Sequence, residues 1–393
     1  MFKDSNKLLG LILVVCLLGC MLYVFLGKNG RLQFIKGPPA IRQSIAKVEK
    51  RNQHPSPRIS PKNRLHNSLT QGKPGSPSKI RVVKSSTNLQ AKFSKPKLLQ
   101  GSREPSGAVA IPEKGGIFVV DDEPKRGNSQ GLFFYRVKGK TLQNLPFRIV
   151  PNQKRKWNDW EGATRDKTHI YLMTSHDKKK SKRSKICRFP IKKLTISSKE
   201  ALLRGYLECS GGKKQRKRII KLLKKAAYSI GFTLPRAFKK RHPKNGGLNF
   251  EAFHYNSQKD VFYIGLRSPL ASLKGNKYAI VLSMKWYGGY PGFSFAGLLY
   301  LKDKGIRAME GGAKGSIQVI AGPAGVSGSF ALANIPGFPK SPFLLGLPKA
   351  FRKVQPSPKR RFEAMVQYKG TWFLFSDDGN WDEQTPAHYS ILR

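Results

Sequence analysis

An all-β fold, a β-propeller of five or six blades with one basic helical insertion, is what this sequence predicts, and three observations carry the prediction. The first is a strand–turn–strand pattern that occurs five times. EPSGAVAI precedes IFVVDDE, WEGATRD precedes IYLMTSHD, NFEAFHYN precedes VFYIGLRS, GIRAMEGG precedes IQVIAGPA, and RFEAMVQY precedes WFLFSDDG. The second is the period. Aligning the small residue of each copy gives Gly107, Gly162, Ala252, Ala308 and Ala364, at intervals of 55, 90, 56 and 56 residues. The third is the long interval, which a helical pattern fills without disturbing the copies on either side. Strand pairs recurring at such a period are the signature of radially repeated sheets.

In chain order, a short polar start precedes an uncharged apolar run from Leu8 to Leu26, LLGLILVVCLLGCMLYVFL. Its length suits a bilayer-spanning helix, so residues 1–27 are read as a transmembrane anchor or signal segment. Leu17-Leu18-Gly19-Cys20 also resembles a bacterial lipoprotein box. Residues 28–101 are rich in Pro, Ser and Lys and carry 17 Lys and Arg against the single acid Glu49. Such composition cannot bury a core, and the arm reads as a disordered basic linker. A basic flank tends to stay cytoplasmic, whereas an N-terminal apolar segment commonly exports the domain behind it. The expected location is membrane-anchored with an extracytoplasmic domain, and a cytoplasmic orientation stays open.

Residues 102–393 hold the repeats. Repeat one runs over 106–137, its second strand ending on Asp121-Asp122-Glu123. Repeat two opens at Trp157-Asn158-Asp159-Trp160-Glu161-Gly162 and reaches Ser175-His176-Asp177, followed by the basic loop 178–185. The insertion spans about 211–247. Within it KKQRKRIIKLLKKAAYSI sets Ile219, Leu223, Ala226 and Ile230 at helical period among Lys and Arg, the pattern of a helix packed by one stripe. Repeat three ends its second strand on Arg267-Ser268-Pro269, repeat four on Gly322-Pro323, and repeat five on Asp377-Asp378-Gly379. The terminal YSIL supplies a closing strand. A sixth blade requires that residues 293–301 or another irregular stretch form a sheet of its own.

The full chain has 74 Lys and Arg against 22 Asp and Glu, a net charge of +52. That favours polyanionic partners. No zinc-finger spacing, RNP-type strand or basic zipper accompanies the charge, so nucleic acid is not the expected partner. If nucleic acid does bind, the arm and the 178–185 loop are where the charge would receive it. Of the four cysteines, Cys16 and Cys20 lie in the apolar run. Cys187 and Cys209 lie in the repeats, where they are either a disulfide or two buried thiols. No cysteine–histidine cluster suggests zinc.

The strings GGLNFEAFHYNSQKDVFYIGLRSPL, WEGATRD, GIRAME…IAGPA and VVDDE together resemble the domain of unknown function 3616 family. Its members are bacterial, often exported proteins for which a β-propeller-like fold is expected. The likeness covers about residues 104–380 and implies no activity, since the family's own is uncharacterised. A weaker likeness, through the repeated E-G/A motif, extends to phytase-like and esterase-like propellers.

Candidate site residues come from the repeat alignment. Glu161, Glu251 and Glu363 each stand one place before the aligned small residue, where repeats one and four have Ser106 and Arg307. Three carboxylates at equivalent positions suit Ca²⁺, which takes six to eight oxygens. The ends of the second strands contribute Asp121, Asp122, His176, Arg267, Asp377 and Asp378 as ligand-binding candidates, with Arg267 suited to a phosphate or carboxylate. The same charges also suit bracing between blades. No G-x-S-x-G, H-E-x-x-H or phosphate-loop signature is present. The expected function is a membrane-anchored binding or scaffold module for an anionic ligand of the cell envelope. The alternative is a metal-dependent phosphoesterase or esterase of phytase-like type.

Overall fold

The computed structural model describes residues 12–17, 20–26, 32–34, 92–122, 131–150, 159–176, 183–236, 238, 246–325, 328–339, 341–348, 350–354, 361–377 and 387–392. Contacts divide the chain into two units, Met1–Ser78 and Lys79–Arg393. The linker reading of residues 28–101 falls mostly outside the described residues.

The first unit corrects the transmembrane helix. The apolar run forms two antiparallel strands, Ile12–Leu17 and Cys20–Leu26, in a register that pairs Leu17 with Cys20, and Leu32–Phe34 adds a third. Hydropathy measures how apolar a run is, not which element it forms. Here Val14, Val15, Tyr23, Val24 and Phe25 favour strand, and Gly19 punctuates the run. Among the described residues no helix is long and apolar enough to cross a membrane. The membrane anchor, the membrane partner and the membrane-anchored location expected above therefore lose the element they rested on.

In the second unit, six sheets build the propeller. Blade one comprises Pro105–Ile111, Gly116–Asp121, Leu132–Lys138 and Thr141–Leu145. Blade two comprises Trp160–Arg165, His169–Thr174, Lys185–Pro190 and Glu208–Gly211. Blade three runs through Asn249–Asn256, Val261–Ser268, Asn276–Tyr287 and Tyr290–Leu299, with Phe343–Leu345 added in parallel at its edge. Residues 293–299 thus extend blade three and do not make a sheet of their own. Blade four comprises Lys304–Gly311, Ile317–Pro323, Phe330–Ile335 and Ala350–Val354. Blade five joins Arg361–Tyr368, Thr371–Asp377 and His388–Leu392 to Lys97–Leu98 from the other end of the unit. The sixth sheet is small, with Phe147–Val150, Leu194–Ile196 and Ala201–Arg204. Its Ile149, Leu194 and Leu203 pack on the core shared by blades one and two.

The first strands of the five blades touch in a closed cycle, one to two to three to four to five and back to one. Alternation along each strand makes this closure possible, because successive side chains point to opposite faces. In blade one, Val109 and Phe118 enter the core against blade two, while Ala108, Ile117 and Val119 enter the core against blade five. Three further apolar clusters fill the other interfaces, so both faces of each blade are dry. Strands buried on both faces read as near-continuous apolar runs, as IFVV, IYLM and WFLF do.

The aligned small residues mark where inner strands approach. A Cβ on Gly107 would lie 2.6 Å from the Ala163 nitrogen and 2.7 Å from Gly162 Cα. Gly107→Ala is therefore expected to destabilise the protein by about 1–3 kcal/mol, the usual effect of overpacking. Denaturant titration with an unchanged slope and a lower midpoint would bear this out; an unchanged midpoint would refute the close approach.

The insertion forms the helix Lys213–Ile230, closed by Gly231 in the left-handed region (φ 80°) with its N–H on the Ala227 carbonyl. Its stripe of Ile219, Leu223 and Ala226 is buried in the core between blades two and three. In blade two, Cys187 and Cys209 stand opposite one another on neighbouring strands and are disulfide-bonded.

Candidate functional site

Every inner strand begins with a β-bulge. Pairing with the second strand shifts between Pro105 and Gly107, Trp160 and Gly162, Phe250 and Ala252, Ile306 and Ala308, and Phe362 and Ala364. The residue left out of register is in turn Ser106, Glu161, Glu251, Arg307 and Glu363. A bulge re-aims its extra side chain, so the repeat presents five equivalent side chains at one end of the axis. The second strands end there too, because Pro105 pairs with Asp121 and Arg361 with Asp377.

The five split into two groups with opposite electrostatics. On the side of blades three to five, Arg307 is 2% exposed. Its Nη1 donates to Glu363 Oε1 at 2.8 Å and Oε2 at 2.9 Å, and it lies 3.0 Å from Glu251 Oε2. Glu251 Oε1 accepts from Arg267 Nη1 at 2.9 Å and Asn249 Nδ2 at 2.8 Å. Two of the three glutamates expected to share a metal are thus held by guanidinium groups. Arg267, expected to meet an anion, is bonded to Glu251 and to the Gly325 carbonyl, 2.5 Å away. Neither the anion-binding scaffold nor the three-glutamate phosphoesterase has its expected constellation, and both readings are withdrawn.

The other group is acidic. Glu161 is buried, and its carboxyl makes no hydrogen bond or ion pair among the described residues. Oxygens of Glu161, Asp122 and Asp159 all lie within 4.8 Å of one another. Burial, then the charges of Asp122, Glu251, Asp159 and Glu363, push the Glu161 carboxyl well above its usual range. Hydrogen bonds frame it. Asp159 donates its N–H to the Asp122 carbonyl at 2.6 Å, and Ser175 N–H donates to the Asp159 carbonyl at 3.2 Å. The Asp159 carboxylate accepts from Arg183 Nη1 at 2.7 Å and from Ser175 Oγ. Asp159 itself sits at φ 72°, a left-handed conformation that aspartate tolerates better than most side chains. Ser106 lies beside the group, its hydroxyl donating to the Trp160 carbonyl and to that of Val120, 3.2 Å away.

The remaining sequence-derived candidates fall elsewhere. Asp121 accepts from Ser102 Oγ and, at 3.0 Å, from Arg103 N–H, which ties down the segment before blade one. His176 is fully buried against Phe250. Its Nδ1 donates to the Thr174 carbonyl at 2.7 Å, and Nε2, 2.8 Å from Gln215 Nε2, accepts from that amide. Burial, and to a lesser extent Arg216, lower its pKa to about 4, so it is a neutral clasp for the helix. Asp377 ends its strand opposite Arg361, and Asp378 lies outside the described residues. Asp159 did not enter the sequence-derived set, because it lies at neither position that the repeat alignment marks, the residue before the small one or the end of the second strand. The signal available was the doubled acid of D-W-E-G. A cavity of about 280 Å³, lined by residues including Thr233, Pro235, Ser268, Lys277 and Gly325, contains none of the three carboxylates.

No family model matches the chain, and no curated protein matches it. Among solved structures, the chain is similar to a PQQ-bound aldose sugar dehydrogenase from Streptomyces coelicolor, at 11% identity and TM-score 0.37, over 77% of this chain and 98% of that one. It is also similar to the GH43_1 enzyme from Xanthomonas citri complexed with xylose (7% identity, TM-score 0.40, 76% and 89% covered). A third similar structure is the calcium-binding protein regucalcin from Agrobacterium tumefaciens (8% identity, TM-score 0.34, 76% and 93% covered). The likeness is one of general propeller fold and carries no substrate with it.

Proposed function

We propose that this is a cation-binding propeller, whose axial mouth holds a hard divalent cation, Ca²⁺ above all, between Asp122, Asp159 and Glu161. The observation that supports this reading is Glu161, a buried carboxylate with no partner among the described residues beside two others. Like charges so placed repel, and an ionised group without a partner is expensive to bury. A proton relieves one charge; a cation bridges the carboxylates and adds to the Arg183 guanidinium already on Asp159. Two oxygens bound to one Ca²⁺ at about 2.4 Å can stand at most about 4.8 Å apart, and the three oxygens lie within that limit. Oxygen-only donors select a hard cation over zinc or copper. The resemblance to the domain of unknown function 3616 family belongs with this reading, since WEGATRD, one of the motifs that carries it, is the strand bearing Glu161.

The test is thermal unfolding of the full chain after chelation, with Ca²⁺, Mg²⁺ or Mn²⁺ restored, alongside Glu161→Gln. At a concentration a hundred times the dissociation constant, binding adds about 2.7 kcal/mol. The expected result is a Ca²⁺-dependent rise in Tm that Glu161→Gln lacks. No rise with any cation, or an equal rise in the variant, would refute the site.

A further inference from the structure

The helix Lys213–Ile230 presents a face that the propeller does not use. Lys213, Lys214, Lys217, Arg218, Lys221, Lys224 and Lys225 are all exposed. None forms an ion pair among the described residues. The helix contains no acid, and its first turn is basic. Lys213 and Lys217, Lys214 and Arg218, Lys217 and Lys221, and Lys221 and Lys225 stand four residues apart, where like charges destabilise a helix. A cation in the first turn also opposes the helix dipole. The cationic row continues by one more helical step into Tyr228, which is 92% exposed.

We infer that this face is an interaction surface for single-stranded nucleic acid, the lysines meeting phosphates and Tyr228 stacking on a base. Lys214, Lys217, Lys221, Lys224 and Tyr228 lie along one side of a helix about 27 Å long, a track and not a pocket. A cationic track joined to an exposed aromatic ring is the combination that sequence-tolerant single-strand binding uses. An anionic bilayer fits less well. An interfacial helix inserts its apolar face, and here Ile219, Leu223 and Ala226 are spent in the core between blades two and three. The sequence has no nucleic-acid motif because such a surface needs none: it is a spacing of charges on a helix anchored from behind.

The test is fluorescence anisotropy of a labelled oligodeoxythymidine of about 12 nucleotides, titrated with the full chain at several salt concentrations. The helix variant is Lys217→Glu/Lys221→Glu/Lys224→Glu. A control, Lys138→Glu/Lys192→Glu/Lys193→Glu, alters net charge equally on other exposed positions. The helix variant is expected to bind about tenfold or more weakly, with a salt slope smaller by about 2, whereas the control changes little. Tyr228→Ala, which leaves the charge intact, is expected to weaken binding about fivefold or more. Equal losses in helix variant and control would overturn the proposal, as would binding indifferent to Tyr228. Tighter binding to phosphatidylserine vesicles or heparin than to the oligonucleotide would overturn it in favour of those polyanions.

Discussion

Arg307→Met is expected to be the most destabilising single substitution at the axis, lowering stability by about 3–5 kcal/mol and Tm by on the order of 10 °C. The guanidinium is 2% exposed and stands between Glu363 and Glu251. Removing it leaves Glu251 buried, with Arg267 and Asn249 on one of its oxygens, and takes from Glu363 the two hydrogen bonds that Arg307 donates. Breaking a buried pair from one side is far worse than replacing it whole, because the stranded charges keep their desolvation penalty. Adding Glu363→Met to Arg307→Met should accordingly recover part of the loss. Calorimetry of the two variants decides the matter. A loss below about 1 kcal/mol for Arg307→Met, the range of a surface pair, would show that the arginine does not brace the ring.

Glu161→Gln is expected to act in the opposite direction when divalent cations are chelated. Burial and neighbouring carboxylates raise the Glu161 pKa in the folded protein. Below the ordinary carboxylate value both folded and unfolded states hold the proton, and the group contributes no pH dependence. Above that value the unfolded chain has lost the proton while the folded one keeps it. Stability then falls with rising pH, by up to about 1.4 kcal/mol per pH unit, until the raised folded value is passed. Glutamine escapes this penalty. The variant should match the wild type in acid and exceed it progressively from the ordinary carboxylate range upward, a difference readable in urea midpoints across pH. A difference independent of pH would remove the proton-holding carboxyl from the account.

The fold was legible because propeller strands are buried on both faces and the inner strands must approach closely. The first requirement writes apolar runs into the sequence, and the second writes Gly107, Gly162, Ala252, Ala308 and Ala364 at a nearly constant interval. The bulge residues were legible for the same reason, since each precedes its small residue by one. Their grouping was not. Equivalent positions suggest equivalent chemistry, yet Arg307 draws Glu251 and Glu363 to one side and leaves Glu161 to Asp122 and Asp159. Asp122 was legible as a second-strand end, whereas Asp159 comes from an interblade connection, where no period operates. The apolar N-terminal run misled for a different reason, because hydropathy measures how apolar a run is and cannot distinguish a helix from paired strands.

Sensitised terbium luminescence reports directly on a cation held by Asp122, Asp159 and Glu161. Tb³⁺ substitutes for Ca²⁺ among oxygen donors, and the buried indole of Trp160 adjoins Glu161 in the chain. Tryptophan-excited emission is expected to saturate at a single site, to be displaced by Ca²⁺, and to disappear in Glu161→Gln. Emission that survives Glu161→Gln, or none at all from the wild type, would contradict it.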